Sequence, residues 1–268
     1  MNKIIAGFAV AAASASGLMA DNPIIKHIFT ADPSAHLYEG RVFIYPSHDQ
    51  DKPDWFNMVD YHVFSSTNLV DWTDHGVALH VKDVPWAKEY MWAPDCAYKD
   101  GTYFFYFPAR DKAGEFRIGV ATSPSPAGPF KPEPNPIEGS FSIDPAVFID
   151  DDGAAYMYFG GLGEHGKAKS PMVARLKDNM KEFAETPKRI EGADFFFEGA
   201  WMNKINGTGL VVLVHVACGI GQVVGAVDFV HPGALEEEIH PLDAPGRFGE
   251  FFHVVLQPRH HRRLGLPV

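Results

Sequence analysis

The sequence is poor in cysteine and in basic residues, and each shortage excludes a class of protein. Cys96 and Cys218 are the only two cysteines in 268 residues, too few for a disulfide framework or a zinc cluster, so we expect buried structural thiols. Lys and Arg number 23 against 34 Asp and Glu, which leaves a net charge of −11. Nucleic acid and anionic membranes bind basic surfaces, so neither is expected as a partner.

Only the N-terminus carries a targeting signal. Residues 1–20, MNKIIAGFAVAAASASGLMA, have a lysine, an Ala-rich apolar run and then small residues. This layout predicts a signal peptide cleaved after Ala20 or near Ala15, and hence a secreted or periplasmic protein. Two serines and a glycine interrupt the run, which makes it a poor membrane anchor, and we find no other candidate span.

Helical periodicity is nearly absent after Asp21, and runs of Val, Ile, Phe and Tyr broken by Gly, Pro, Asn and Asp predict strands instead. One pattern recurs: an acidic residue or proline, a short apolar strand, a turn and a second, often aromatic-rich strand. It is written DPSAHLYEGRVFIYPS, APDCAYKDGTYFFYFPA, SIDPAVFIDDDGAAYMYF and EGAWMNKINGTGLVVLVH. The turn glycines are Gly40, Gly101, Gly153 and Gly207, 52 to 61 residues apart.

Each hairpin is followed by a second pair of strands, as in YHVFSSTNLVDWTDHG and FRIGVATSPSPAGPF. Four strands at a fixed period predict the blades of an all-β propeller. A β-sandwich also has many short strands, but its strands have no reason to repeat in groups of four. In a propeller the first strand of each blade lines the axis, so residues at one end of these strands converge.

Three acids occupy equivalent positions in this repeat. Asp32 and Asp144 precede their turn glycines by eight and nine residues, and Glu198 precedes Gly207 by nine. Any one of them could simply cap a turn. Three in register predict a shared axial site where mutual repulsion and burial raise at least one pKa, which suits acid–base chemistry.

The motifs ADPSAHLYEGRVFIYPSHD, MWAPDCAYKDGTYFFYFPARD, GVATSPSPAGPFKP, SIDPAVFIDDDGAAYMYFGG and FFFEGAWMNKINGT together resemble glycoside hydrolase family 43. These enzymes are five-bladed propellers that include β-xylosidases and α-L-arabinofuranosidases and invert the anomeric centre. The resemblance covers roughly 21–207. It implies Asp32 as the general base, Glu198 as the general acid, and Asp144 as the residue that orients Glu198 and raises its pKa.

Aromatic and histidine side chains near these motifs are candidate sugar ligands. Trp92 and either Phe196 or Phe197 could stack on a sugar ring, or they could pack between blades. His36 and His48 could donate hydrogen bonds to sugar hydroxyls, or be structural. The aspartate of WAPD is a structural residue in the family pattern. No cofactor is expected; family members can hold an axial calcium with a histidine of the last blade, which cannot be assigned here.

The composition changes near Gly209. All nine tyrosines lie at or before Tyr158, and the last tryptophan is Trp201. We therefore expect a signal peptide at 1–20, propeller blades at 21–208 and an atypical segment at 209–268, with the last one or two blades incomplete. A shift of reading frame just after Gly207 is our hypothesis for the break, and it fails if neither other frame of the coding DNA restores a Tyr/Trp-rich blade.

The resulting prediction is an exported inverting glycosidase that removes xylose or arabinose from plant cell-wall oligosaccharides. The alternative is an inactive or non-catalytic sugar-binding propeller that lacks regular final blades. A protein-interaction propeller is disfavoured, because such a scaffold has no reason to align three acids on its axis.

Overall fold

The computed structural model describes residues 23–51, 55–161, 170–191, 193, 196, 198–205, 208–217 and 220–229, with side chains as far as Met202. The predicted signal peptide at 1–20, the candidate sugar ligand Phe197 and the chain from 230 onward lie outside the described residues.

The described chain is built of β-strands, which confirms the all-β prediction. The strands are β1 (Phe29–Tyr38), β2 (Arg41–Asp49), β3 (Met58–Ser66), β4 (Thr73–His80), β5 (Ala87–Glu89), β6 (Asp95–Lys99), β7 (Thr102–Asp111), β8 (Phe116–Ser123), β9 (Lys131–Pro132), β10 (Ala146–Ile149), β11 (Ala155–Phe159), β12 (Met172–Arg175), β13 (Lys188–Arg189), β14 (Glu198–Ile205), β15 (Thr208–Ala217) and β16 (Ile220–Phe229). Among the described residues the one helix is a 3₁₀ turn at Val81–Asp83, and no helix there is long and apolar enough to cross a membrane.

The strands form four antiparallel sheets that follow one another along the chain. The first sheet has the order β1-β2-β3-β4, the third β10-β11-β12-β13 and the fourth β14-β15-β16. In the second sheet β5 and β6 both pair with β7, and β8 and β9 follow. The described part of the chain therefore repeats the hairpin-plus-strands unit that the sequence predicts, and its fourth sheet continues to Phe229.

The hairpin turns form because the sequence supplies residues that tolerate positive φ. Glu39 and Gly40 have φ of 52° and 73°, and Asp100 and Gly101 have φ of 50° and 82°. Two-residue loops with positive φ at both positions match the twist of the flanking strands, and glycine adopts them at little cost. These turns close β1 onto β2, with Tyr38 opposite Arg41, and β6 onto β7, with Lys99 opposite Thr102.

The core lies between successive sheets. A first cluster joins the first two sheets, a second joins the second and third, and a third joins the third and fourth. Representative fully buried members are Tyr45, Tyr61, Phe105, Tyr106, Met157 and Tyr158. We call β1, β6, β10 and β14 the inner strands, because each is the first strand of its hairpin. β1 contacts β6, β6 contacts β10, and β10 contacts β14. One end of each inner strand is thereby brought near the same end of the next.

Cys96 lies in the first cluster as a free thiol and is fully buried. Burial raises the pKa of this thiol, which keeps it protonated and unreactive. The prediction of a buried structural thiol is confirmed for Cys96, whereas Cys218 lies outside the described residues.

Asp95 joins three inner strands through one carboxylate. Its Oδ1 lies 2.5 Å from Nε2 of His36 on β1, and its Oδ2 accepts a hydrogen bond of 2.7 Å from the amide of Val147 on β10. Burial lowers the pKa of His36, but the charge and hydrogen bond of Asp95 outweigh that effect and raise it. The carboxylate is almost fully buried, so these contacts offset the unfavourable free energy of removing it from water.

Replacing Asp95 tests this role. Asp95→Ala leaves a buried amide and a buried imidazole without their acceptor, and we expect a loss of about 3 kcal/mol in the free energy of unfolding. This corresponds to a fall of roughly 6–12 °C in Tm for a chain of this size. Asp95→Asn keeps an oxygen for Val147 and should lose less.

The measurement is thermal unfolding followed by circular dichroism at pH 6, where His36 with its raised pKa is charged. Glu138→Ala, which removes an exposed carboxylate from the second-to-third sheet connection, is the matched control and should leave Tm within about 2 °C. Equal melting of Asp95→Ala and the parent protein would contradict the role of Asp95.

Candidate active site

Asp32, inside the first half of β1, and Asp144, two residues before β10, adopt the same unusual backbone conformation. Their φ angles are 47° and 57°, in the left-handed region, and a proline follows each. Asp32 lies where the register of β1 against β2 shifts, between Ala31 and Ser34, so it occupies a bulge. Such backbone costs roughly 1–3 kcal/mol per residue and concentrates at functional sites. The bulge turns Asp32 out of the ladder alternation.

Glu198 opens β14 beside a similar irregularity. The register of β14 against β15 shifts between Glu198 and Ala200, and Gly199 between them has φ of 73°. Glu198 is half-buried. All three acids therefore lie beside a backbone irregularity near the same end of an inner strand. We call Asp32, Asp144 and Glu198 the acid cluster.

The acids interact electrostatically, with Asp144 at the centre. Asp144 is only 8% exposed, and burial is the main reason that the pKa of its carboxyl is raised well above the ordinary value. The negative charges of Glu198 and then Asp32 raise this pKa further. The amide of Gly199 donates a hydrogen bond of 2.8 Å to Oδ2 of Asp144 and partly opposes the rise. Asp144 is thus tied to the residue that follows Glu198.

Asp32 is the most exposed residue of the acid cluster, because Asp144 is buried and Glu198 is half-buried. Neighbouring protein atoms nevertheless desolvate its carboxyl and raise its pKa, and the charge of Asp49 at the end of β2 raises it further. Asp32 is accordingly open to water yet a stronger base than an ordinary aspartate. This combination suits a group that takes a proton from water.

Gly161 fixes the backbone of Glu198 by close approach. A Cβ atom at Gly161 would lie 2.9 Å from Cβ of Glu198 and 3.0 Å from side-chain atoms of Ile143, the residue before Asp144. The amide of Gly160 donates a hydrogen bond of 2.9 Å to the carbonyl of Ile143. Only a chain without side chains can pass between the two acid-bearing segments here, which explains the Gly-Gly pair after β11.

The two candidate histidines each face a carboxylate. The ring of His36 is held by Asp95 and stacks on Tyr38 with ring centroids 5.7 Å apart. Nδ1 of His48 lies 2.6 Å from Oδ1 of Asp60. Both histidines therefore have structural partners, and a contact of His36 with sugar stays a prediction.

Trp92 is half-buried in a group of aromatic rings. Its ring centroid lies 5.3 Å from Trp55, 5.6 Å from Tyr90 and 4.7 Å from Phe116, and Nε1 donates a hydrogen bond of 2.7 Å to the carbonyl of Phe56. Trp55 and Phe56 are themselves exposed, so this group presents an aromatic surface to solvent. Stacking of Trp92 on a sugar stays a prediction.

Of the two phenylalanine candidates, Phe196 is buried in the third core cluster, which favours a packing role, and Phe197 lies outside the described residues. Sequence reasoning also missed Tyr61. This buried residue of β3 donates a hydrogen bond of 2.7 Å to the carbonyl of Trp92, and its pKa is raised by burial and by the charge of Asp144. Nothing in the sequence around β3 marks Tyr61 as a neighbour of the acid cluster.

Comparison with known proteins bears directly on this arrangement. The family model described as glycosyl hydrolases family 43 matches residues 20–225. A xylosidase/arabinosidase 43A of Humicola insolens is 48% identical, with 69% of this chain and 72% of the relative covered. A xylosidase/arabinosidase of Bacteroides ovatus is 42% identical, with 67% and 68% covered.

Solved structures of family 43 enzymes are also similar to this chain. A β-xylosidase/α-arabinofuranosidase from a compost microbial metagenome, described as a calcium-free complex with xylotriose, is 48% identical with a TM-score of 0.66 and covers 71% of this chain and 72% of its own. An enzyme of Xanthomonas citri complexed with xylotriose is 40% identical, also with a TM-score of 0.66, and the match covers 71% and 68%. The family model includes all three acids and extends into the fourth sheet, so the chain belongs to glycosyl hydrolase family 43 and is by descent a glycosidase.

Proposed function

We propose that this protein is an exported, inverting glycosidase that removes xylose or arabinose from plant cell-wall oligosaccharides. The observation that carries the proposal is the acid cluster: three carboxylates, each at a backbone irregularity at the same end of an inner strand, with Asp144 coupled electrostatically to the other two. Relatives named xylosidase/arabinosidase and structures complexed with xylotriose support a pentose-containing oligosaccharide as the substrate.

The four described sheets are, in this proposal, blades of a five-bladed propeller. The inner-strand contacts from β1 to β14 support that arrangement, because blades meet along these strands. The leader at 1–20, the blades at 21–208 and the atypical segment at 209–268 remain predictions. The family match continues to residue 225, and β15 and β16 pair with one register shift in the region where the composition changes.

In the proposed mechanism Asp32 is the general base. An inverting enzyme needs a base and an acid roughly 6.5–9.5 Å apart so that a water molecule fits between base and sugar. Asp32 is exposed to water, and desolvation and the charge of Asp49 raise its proton affinity. It therefore takes a proton from the water that attacks the anomeric carbon.

Glu198 is the proposed general acid, and Asp144 its positioning residue. The repulsion between Asp144 and Glu198 is mutual, so ionisation of either carboxyl favours a proton on the other, and the carboxylates titrate as a coupled set. The hydrogen bond from Gly199 to Asp144 holds the backbone next to Glu198 in place. Glu198 then delivers its proton to the oxygen of the leaving group as the glycosidic bond breaks.

An axial calcium has no assignable ligand set among the described residues. Calcium binds six to eight oxygen atoms. Among the described residues of the four inner strands, His36 is the one histidine, and its Nε2 contacts the carboxylate of Asp95. The proposed steps use no metal or other cofactor.

Activity on aryl pentosides tests the proposal. Full-length protein is incubated with an aryl β-xyloside, an aryl α-arabinofuranoside and xylobiose, and Asp32→Asn and Glu198→Gln are expected to lower kcat by about 10²–10⁴-fold. Glu198→Gln should lose more on xylobiose than on aryl pentosides, because an acidic phenol leaves with little protonation. Asp32→Asn should lose a similar factor on all three.

Glu138→Gln is the matched control and should retain parental kcat, because Glu138 is exposed and belongs to no inner strand. Equal turnover by the parent and the two active-site variants would refute the assignment. Binding of xylotriose by a cooperatively folded parent without any turnover would support the non-catalytic alternative instead.

The pH dependence tests Asp32 separately. A general base acts only when ionised, so activity should fall as pH drops through the raised pKa of Asp32. Asp49→Asn removes a negative charge that raises this pKa, and the acidic limb of kcat/KM against pH should therefore move to lower pH. Glu138→Gln changes the net charge equally and should leave the limb in place. An acidic limb that does not move in Asp49→Asn would count against Asp32 as the base.

A further inference from the structure

A group of metal-binding side chains lies in the first sheet, apart from the acid cluster. His48 on β2 and Asp60 on β3 are direct cross-strand partners, and His62 follows Asp60 by two residues. Because side chains alternate along a strand, Asp60 and His62 point to the same face, and His48 joins them there. Each residue offers one ligand atom, and these three atoms lie within 4.8 Å of one another.

The contacts within this group resemble those of a metal site. Nδ1 of His48 lies 2.6 Å from Oδ1 of Asp60, and the rings of His48 and His62 are 4.9 Å apart, edge to face. Two tetrahedral ligands about 2.1 Å from one ion are themselves about 3.4 Å apart, so for an ion to enter, the proton between His48 and Asp60 must leave and these two atoms must separate by about 1 Å. The three side chains already converge without one.

Asp74 orients the imidazole ring of His62 by contacting its Nδ1 atom. Nδ1 of His62 lies 3.0 Å and 3.2 Å from the two carboxylate oxygens of Asp74 on β4. A carboxylate only accepts hydrogen bonds, so in the neutral imidazole Nδ1 carries the proton and Nε2 keeps its lone pair. A carboxylate behind a histidine is the usual outer partner of a metal-bound imidazole, and it raises the basicity of the ligand.

Burial of the group suits an ion that exchanges with solvent. The side chains of His48, Asp60 and His62 are 24%, 11% and 13% exposed. Neighbouring atoms therefore restrain the ligands, while a path for an ion and a water ligand remains. Asp74, at 24%, is similarly placed.

The ligand types select the ion. Two imidazole nitrogens and one carboxylate oxygen suit zinc and neighbouring transition metals, whereas calcium and magnesium bind oxygen ligands. Three protein ligands leave one tetrahedral position for water. We propose that His48, Asp60 and His62 form a binding site for a divalent transition-metal ion of the zinc type, with Asp74 as its outer partner.

The site joins β2 to β3 next to the strand that carries Asp32. His48 is the cross-strand partner of Thr30, two residues before Asp32 on β1. An ion here links the strands of the first sheet, so it should raise the melting temperature of the protein. The ion takes no part in the proposed glycosidase mechanism, and the two proposals stand or fall separately.

Zinc titration of the full-length, tag-free protein by isothermal calorimetry tests the site. His260 and His261 near the C-terminus are adjacent and could bind zinc themselves, so all variants are made in a His260→Gln, His261→Gln background. We expect one ion per chain in that background. Zinc affinity should fall by more than about 100-fold in His48→Gln and in His62→Gln, and by about 10–100-fold in Asp74→Asn.

His75→Gln is the matched control, because His75 lies on β4 of the same sheet and contacts Ser65 instead of this group. It should bind zinc as the background protein does. Zinc affinity unchanged in both His48→Gln and His62→Gln, or no zinc binding by the background protein, would overturn the site and leave these residues as a hydrogen-bonded network only.

A second measurement covers the case in which a variant fails to fold. Crystals of the background protein soaked in zinc and measured at the zinc absorption edge should show an anomalous-difference peak between the side chains of His48, Asp60 and His62. A peak elsewhere, or none, would overturn the proposal.

Discussion

A single buried carboxylate, that of Asp95, joins the strands that carry or follow Asp32 and Asp144. It contacts His36 four residues after Asp32 and the amide of Val147 three residues after Asp144. Hydrogen bonds to a charged group contribute about 1.5–3 kcal/mol each, more than most single contacts. The relative position of Asp32 and Asp144 therefore depends on a residue with no part in the proposed chemistry.

The acid cluster lowers the stability of the folded state, and contacts from the rest of the fold fix its geometry. Burial and two like charges disfavour ionisation of Asp144, and both aspartates adopt left-handed backbone that ordinary residues avoid. Gly161 admits the chain beside Glu198 only because it has no side chain. Such unfavourable features persist where neighbouring contacts over-determine the geometry, here the hydrogen bond from Gly199 and the contacts of Asp95. The same features raise the proton affinities that acid–base catalysis requires.

Local patterns predicted the repeating hairpins and the three acids, since turn chemistry and period-two alternation are encoded within a few residues. Asp32, Asp144 and Glu198 could be aligned because each stands at a similar distance before its turn glycine. Contacts between distant segments could not be predicted in this way. Tyr61 comes near Asp144 only through sheet packing, and His48 faces His62 only because the register pairs His48 with Asp60.

The stereochemistry of the first product tests the central claim most directly. An acid and a base that act on opposite sides of the sugar, without a covalent intermediate, invert the anomeric centre. Proton NMR of the full-length protein hydrolysing an aryl β-xyloside, recorded before mutarotation, should show α-xylose as the first sugar formed. β-Xylose as the first product would mean a retaining mechanism and would contradict the roles proposed for Asp32 and Glu198.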